Sequence, residues 1–468
     1  MHASLLQSLS YIHDILSDKV TPKKITVAGW LRTKRSSKKF SFLELNDGTS
    51  STSLQIVVDA TLPDYSEIEK LNTGSSVVVH GELVLSPGKG QKYEMHATSV
   101  EILGHADPVE YPLQKKEMTL EYLRENAFLR MRTATFSSVF RIRSRVSFMI
   151  HKFFFDNGFY YLNSPIVTAV DGEGAGESFQ VTNFNLKEIP KTKNGEVDFS
   201  KDFFGTNSML CVTGQLEGEL FACGMNKIYT FGPTFRAENS HTSRHLAEFW
   251  MIEPEVAFAN LEDNMDLAQE LIRYVVKDVL DNSQEDLQIL FQKTQIDTKE
   301  YLKMALEKPF VRVSYTEAIE ILKNSKQNFE ISVEWGIDLK SEHERYLCEK
   351  HFCAPTIVYN YPQEFKAFYM YLNDDGKTVR AMDVLMPGIG EVIGGSQRED
   401  RYEVLKRRME EKGLSPEKMQ WYLDTRKFGN VPHAGFGLGL ERLIVWITGM
   451  GNVRDVIPFP RTPGQCEF

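Results

Sequence analysis

The sequence has no apolar run approaching the roughly 20 residues needed to cross a bilayer, so no membrane partner is expected. Its opening residues, MHASLLQSLSYIHDILSD, lack the basic start of a secretory signal and are interrupted by His13 and Asp14. They read as a short amphipathic helix. Cysteine is scarce: five residues, odd in number and scattered over 468, exclude a disulfide framework and point to reduced thiols in the cytoplasm. The CEKHFC run holds Cys348, His351 and Cys353 but lacks the fourth ligand of a structural zinc site. No phosphate loop with its Lys-Ser/Thr is found, and the carboxylates of GEGAGE (172–177) would repel a pyrophosphate. No Ser-His-Asp or Cys-His set stands out. Internal repeats and low-complexity tracts are missing as well.

Acid outweighs base, with a net charge of −10, which argues against a general polyanion binder. Yet residues 21–40 contain Lys23, Lys24, Arg32, Lys34, Arg35, Lys38 and Lys39 and no acid. A basic stripe in an acidic chain suits selective contact with one region of a nucleic acid. Around it, residues 24–103 alternate apolar and polar in five short runs separated by Asn46-Asp47-Gly48, Thr73-Gly74 and Ser86-Pro87-Gly88. That pattern predicts a Greek-key barrel of the OB-fold type over 1–103, with Trp30, Phe40 and Phe42 available for stacking on bases. The polar, proline-bearing segment 104–118 reads as a linker. From 119 to 468 the periodicity predicts an α+β domain built on a largely antiparallel sheet. It has a helix over 134–157, strands near 209–213, 219–223, 227–231, 247–257, 355–360, 366–371, 378–385 and 389–394, helices over 260–307 and 399–412, and a glycine-rich strand running into a helix at 435–449.

Two stretches carry chemistry. FRAENSHTSRHLAEFWMIEPE, from Phe235 to Glu255, reads as a hairpin. Strand parity puts Arg236 and Glu238 on one face of its first arm, and Phe249, Met251, Glu253 and Glu255 on one face of its second. Arg244 and His245 sit at the exit of the turn. Cations, a ring and carboxylates on one surface can hold a polyphosphate, stack a base and recognise an amino group. In GFGLGLERLIVWITG, Gly435, Gly437 and Gly439 leave one strand face bare for a ligand. Arg442 follows at a helix start, where backbone N–H groups favour phosphate.

Together, F-R-A-E, R-H-x-x-x-F and G-x-G-x-G-x-E-R resemble motifs 2 and 3 of the class II aminoacyl-tRNA synthetases, at about 227–257 and 433–449. The helix and strand ending at Ser164-Pro165 resemble motif 1, at about 134–168, which forms the homodimer interface in that class. The order barrel, hinge, core resembles the aspartyl/asparaginyl/lysyl subgroup over essentially the whole chain. The resemblance implies ATP as substrate and tRNA as partner. It puts Arg236 on the α-phosphate, Glu238 near the adenine edge or the ribose-phosphate, and Arg244 and His245 on the outer phosphates. Phe249 would stack on adenine, Arg442 would meet the γ-phosphate and the other face of the base, and Gly439 would also border the ATP. Asp383 and Glu391 would hold Mg²⁺ bridging the phosphates. Neither activation nor transfer needs a protein nucleophile, so catalysis is expected to rest on positioning and charge stabilisation, with Arg236 and Arg442 as the catalytic cations. Arg35, Phe42 and Gln55 match the barrel positions that contact the central anticodon base.

The amino acid is read from TGQLEGE and GGSQRE. Gln215 stands where aspartyl enzymes have glutamine, but their lysine position is Gly218 here. One retained cation, Arg398, without the lysine suits a neutral amide. Glu253 rather than Glu248 would accept from the amide nitrogen, and Glu173 would bind the α-amino group. The phrases TFRAENSHTSRHLAEFWMIEPE, GEVIGGSQRE and NVRDVIPFPRTP resemble the asparaginyl members of the subgroup, which implies asparagine and tRNA(Asn) as substrates. A relaxed aspartyl enzyme, an asparagine synthetase on the same core and a non-catalytic RNA-binding paralogue remain as alternatives. Glu391 and Arg398 are an odd number of residues apart, so a bulge at Gly394-Gly395 is expected to bring them to one face.

Overall fold

The computed structural model describes residues 5–20, 23–88, 90–114, 118–170, 172, 178–240 and 242–468. The chain divides into two compact units, Met1–Phe140 and Arg141–Phe468.

In the first unit, β1 (Lys24–Ser36), β2 (Phe40–Asn46), β3 (Leu54–Asp59), β4 (Ser76–Leu85) and β5 (Tyr93–Gly104) close into a barrel of order β1-β2-β3-β5-β4. The alternation read in the sequence is the cause: Leu43, Leu45, Leu54, Ile56, Val58, Val77 and Val79 point inward and are fully buried. The residues between them face outward. Arg35 pairs with Phe42 and Glu44 with Gln55 in register, so Arg35, Phe42 and Gln55 share the outer surface. The opening residues form two short helices, Leu5–Ser8 and Ile12–Leu16, in place of one, and Ile12 and Ile15 plug the barrel core.

The second unit is built on an eight-stranded sheet. Its strands are β6 (Tyr160–Leu162), β10 (Lys227–Phe235), β11 (Glu248–Ala257), β12 (Val311–Ser314), β13 (Thr356–Pro362), β14 (Thr378–Met386), β15 (Gly390–Gln397) and β16 (His433–Gly439). The spatial order is β12-β13-β14-β15-β16-β11-β10-β6, antiparallel except at the outermost pair on each side. A small separate sheet holds β7 (Val167–Thr168), β8 (Gln180–Val181) and β9 (Ser208–Leu210). The helix Leu261–Asn282 starts on a reciprocal capping box between Asn260 and Asp263. From it the Asn264 amide donates to the Gly435 carbonyl at 2.8 Å, tying the helix to the glycine-rich strand.

Two expected strands are not strands. Residues 219–223 lie in the helix Gln215–Met225, whose buried positions Gln215, Leu216, Gly218, Glu219 and Ala222 follow the helical period. Residues 366–371 follow a 3₁₀ turn, Gln363–Phe365, and keep only an isolated bridge from Met370 to Arg398. The expected bulge exists but sits elsewhere: β15 pairs Ile393 with Val384 and Glu391 with Leu385, so the extra residue is Val392. Pairing runs unbroken through Gly394 and Gly395.

Candidate active site

Two adjoining cavities open on one face of the eight-stranded sheet. The first, of about 250 Å³, is lined by Arg236, Glu238, Arg244, His245, Phe249 and Arg442, with Met251, Glu391, Gly437 and Gly439. The second, of about 230 Å³, is lined by Gln215, Glu253, Lys366, Asp383, Gly394 and Arg398, and shares Arg236, Met251, Glu391 and Gly437 with the first. Strand pairing explains the arrangement. The hairpin β10–β11 aligns Phe235 with Glu248, and β16 lies against β11 with Met251 opposite Gly439. Phe249, Met251 and Glu253 therefore rise beside the bare glycine face. At Gly437 a side chain would meet only the Met251 terminal methyl, at 2.7 Å, and the more distant Gly394 carbonyl. Gly435 differs: the Glu255 carboxylate and the Pro254 carbonyl fill that space, so close packing rather than a ligand explains this glycine.

In the first cavity the Arg236 guanidinium lies 5.4 Å from the Phe249 ring centroid. Arg244 donates to the Ser341 hydroxyl at 2.5 Å and the Ile389 carbonyl at 3.0 Å. Arg442 donates to Glu391 Oε2 at 3.2 Å. Such a wall offers cations to a polyanion and a ring to a base.

The second cavity is more tightly built. The Glu253 carboxylate accepts from Thr213 Oγ1, from the Gly214 N–H at 2.9 Å and from Thr230 Oγ1 at 2.8 Å. Arg398 is almost fully buried and donates through two nitrogens to both oxygens of Glu255, a fork geometry that fixes its plane. Its Nη1 donates to Ser396 Oγ at 2.9 Å. Behind them, Glu219 accepts from Arg426, Tyr422 and His433. Burial opposes the Glu219 charge, but Arg426, His433 and Arg398 hold it well below the usual carboxylate range. Burial pushes Glu255 up. Gln215 starts the helix Gln215–Met225 and donates to Glu219 Oε1 at 2.9 Å. A side chain at Gly218 would lie 3.3 Å from Ile228 and 3.4 Å from Glu255 Cγ.

Asp383 and Glu391 face one another across Gly394. A Cβ at Gly394 would sit 3.2 Å from Glu391 Oε1 and 3.5 Å from Asp383 Oδ1, so the glycine leaves a space bordered by two carboxylates. Burial and the neighbouring Glu391 raise the Asp383 pKa. Burial pushes Glu344 up to about 7, with Glu391 adding to the effect. Negative charge is crowded here. Among the described residues no three His, Cys, Asp or Glu side chains converge into a protein-only metal cage. Mg²⁺ is commonly held by one or two carboxylates with phosphates supplying other ligands, and the pair fits that pattern.

A model of the class II tRNA synthetases (D, K and N) matches residues 119–463, and one of the OB-fold nucleic acid binding domain matches 25–103. The Asparagine--tRNA ligase of Cytophaga hutchinsonii is 56% identical over 97% of both chains. The chain belongs to the class II tRNA synthetases, in the asparagine–tRNA ligase family. The ligase of Porphyromonas gingivalis is 54% identical over 98% of each chain. The crystal structure of asparaginyl-tRNA synthetase from Pyrococcus horikoshii complexed with asparaginyl-adenylate superposes with a TM-score of 0.85, at 32% identity, covering 98% of this synthetase and 99% of that chain.

Every site residue expected in the core of the synthetase lines one of the two cavities, except Glu173, which lies outside the described residues. Sequence reasoning missed three features. Lys366 lines the second cavity and donates to Asp383. Glu441 accepts from the Trp250 N–H at 3.0 Å and from Arg143 at 2.7 Å, joining the helix Ala134–Asp156, β11 and the helix Leu440–Thr448. The helix Ser341–Arg345 continues as a π-helical turn, Tyr346–His351, and braces the turn 387–391. Glu344 accepts from the Glu391 N–H at 3.1 Å and Glu349 from the Gly388 N–H at 2.9 Å. Cys348 and His351 of the CEKHFC run lie in this π-helical turn.

Proposed function

We propose that the chain activates asparagine with ATP and Mg²⁺, forming asparaginyl-adenylate and pyrophosphate, and transfers the asparaginyl group to the 3′ end of tRNA(Asn), as a cytoplasmic homodimer. The observation that carries the amino acid assignment is the pairing of Glu253 and Arg398 in one cavity, with glycine at position 218. Glu253, held by Thr213, Gly214 and Thr230, would accept from the amide nitrogen, and Arg398, fixed by Glu255, would donate to the amide oxygen. Arg236 borders both cavities, a position suited to the α-phosphate while the asparagine carboxylate attacks in line. Phe249 and Arg442 would sandwich adenine, Glu238 and Gly439 would border the nucleotide, and Arg244 and His245 would hold the outer phosphates. Asp383 and Glu391 would hold Mg²⁺, which when bound would neutralise phosphate charge. Gln215 and Glu173 would complete the amino acid site, Glu173 at the α-amino group.

The helix Ala134–Asp156 leaves Phe148 and Phe155 exposed at 64% and 78%, beside exposed Tyr160 and Tyr161 on the edge strand β6. This supports the homodimer through motif 1. Arg35, Phe42 and Gln55 on the barrel would read the anticodon, with 1–103 as the anticodon domain, 104–118 as hinge and 119–468 as catalytic domain. The cytoplasmic assignment is supported by five cysteines, all free thiols, and no described helix is long and apolar enough to cross a membrane. ATP–pyrophosphate exchange with asparagine and with aspartate tests the reading. Exchange should require asparagine, and equal or faster exchange with aspartate would overturn the assignment. Arg236→Ala should abolish exchange while leaving tRNA binding nearly intact.

A further inference from the structure

Lys366 is the charged group in the second cavity to which the chemistry above gives no task. It follows the 3₁₀ turn Gln363–Phe365, where the chain leaves β13 and bends back toward the sheet. Its ammonium donates to Asp383 Oδ2 at 2.9 Å and lies 4.0 Å from the Tyr361 ring centroid. The side chains of the pair are 16% and 15% exposed, so water does little to screen the bond.

The division of labour between the two Asp383 oxygens is the informative detail. Oδ2 is taken by Lys366, and Oδ1 is the oxygen turned toward the space at Gly394. Glu391 shows the same division, with Oε2 on Arg442 and Oε1 toward Gly394. A carboxylate on a strand can rotate about its terminal bond. A fixed cation on one oxygen restricts that freedom, and at Asp383 the Tyr361 hydroxyl is a second partner of the carboxylate. Outer partners of this kind orient metal ligands, and their loss typically costs 10- to 100-fold in affinity.

We propose that Lys366 is a positioning residue for the Mg²⁺ site: it holds Asp383 by one oxygen so that the other faces Glu391 and the metal. This rests on the assignment of Asp383 and Glu391 as the metal carboxylates. The test uses the full-length enzyme with Mn²⁺ as a paramagnetic probe, free Mn²⁺ being read by electron paramagnetic resonance with a non-hydrolysable ATP analogue present. Lys366→Met should weaken Mn²⁺ binding about 10-fold or more and raise the metal concentration for half-maximal pyrophosphate exchange by a similar factor. Lys366→Arg, which keeps a cation, should recover most of both. Should the methionine variant not fold, Lys366→Gln takes its place.

Unchanged Mn²⁺ affinity in either apolar or neutral variant overturns the proposal. So does a rise in the asparagine KM alone, which would place the lysine on the amino acid instead. If Asp383→Asn keeps wild-type Mn²⁺ affinity while Lys366→Met loses it, the lysine acts on the metal–nucleotide directly and positioning is refuted. If the wild type and Asp383→Asn alike take up no Mn²⁺ with the analogue, the metal assignment itself has failed, and the proposal falls with it.

Discussion

At position 253 a carboxylate with three protein donors still has room for a fourth. Thr213, Gly214 and Thr230 hold it in place, so its remaining acceptor site is aimed before any ligand arrives. Glu253→Gln should lower kcat/KM for asparagine about 10- to 100-fold, since a hydrogen bond to a charged group contributes about 1.5–3 kcal/mol. The KM for ATP should hardly move, and pyrophosphate exchange at varied asparagine and ATP separates the two. The sequence made Glu253 legible because strand parity is strict: it ranked Glu253 above Glu248, and Glu253 lines the cavity while Glu248 does not. Lys366 was illegible for the opposite reason. It lies in a run read as a strand over 366–371, and only the turn before it brings the ammonium to Asp383. Glu441 was equally hidden, because its partners Arg143 and Trp250 are far away in the chain and no local pattern announces such a junction.

Among the elements, the helix Ala134–Asp156, the hairpin β10–β11 and the strand β16 running into the helix Leu440–Thr448 were readable from periodicity alone, each being long enough to show its period. The helix Gln215–Met225 was not. Its glycines and short apolar run imitate a strand, and tertiary packing of Leu216, Glu219 and Ala222 decides the matter. The bulge was foreseen from parity but placed at the wrong residue, since any insertion between Glu391 and Arg398 would restore the phase and only the register identifies Val392. The brace Ser341–His351 yields a further prediction. Gly390 has φ +90°, and a Cβ there would fall 2.5 Å from Glu344 Oε2. Gly390→Ala should therefore cost about 1–3 kcal/mol in backbone strain and push the brace off the turn that carries Glu391. Thermal melting should show the loss of stability. The KM for ATP should rise several-fold with little change in that for asparagine, and an unchanged ATP KM would deny the brace any part in the nucleotide site.

On the scale of the whole molecule, the exposed aromatics of the helix Ala134–Asp156 and β6 argue for a second copy. Phe148 and Phe155 are seven residues apart and share a helix face. Phe155→Glu, at a position 78% exposed, should leave the fold intact yet shift sedimentation equilibrium from twice the chain mass to the chain mass. A species of unchanged mass would put the interface elsewhere. The barrel should act through charge: Arg35→Ala should weaken tRNA binding and reduce the slope of log K against log salt by about one unit. The order of the eight-stranded sheet reaches further, into the time course of synthesis. β16, from His433 to Gly439, lies between β15 and β11. During translation the barrel can close once Gly104 has emerged, since domains generally fold from the N-terminus. The other sheet must wait as two separate pieces, with β11 and β15 each presenting an unpaired edge. Such edges are templates for pairing with other chains, so a ribosome stalled before residue 433 leaves a nascent chain with a finished OB-fold barrel, an incomplete first cavity and two open edges for a chaperone to cover.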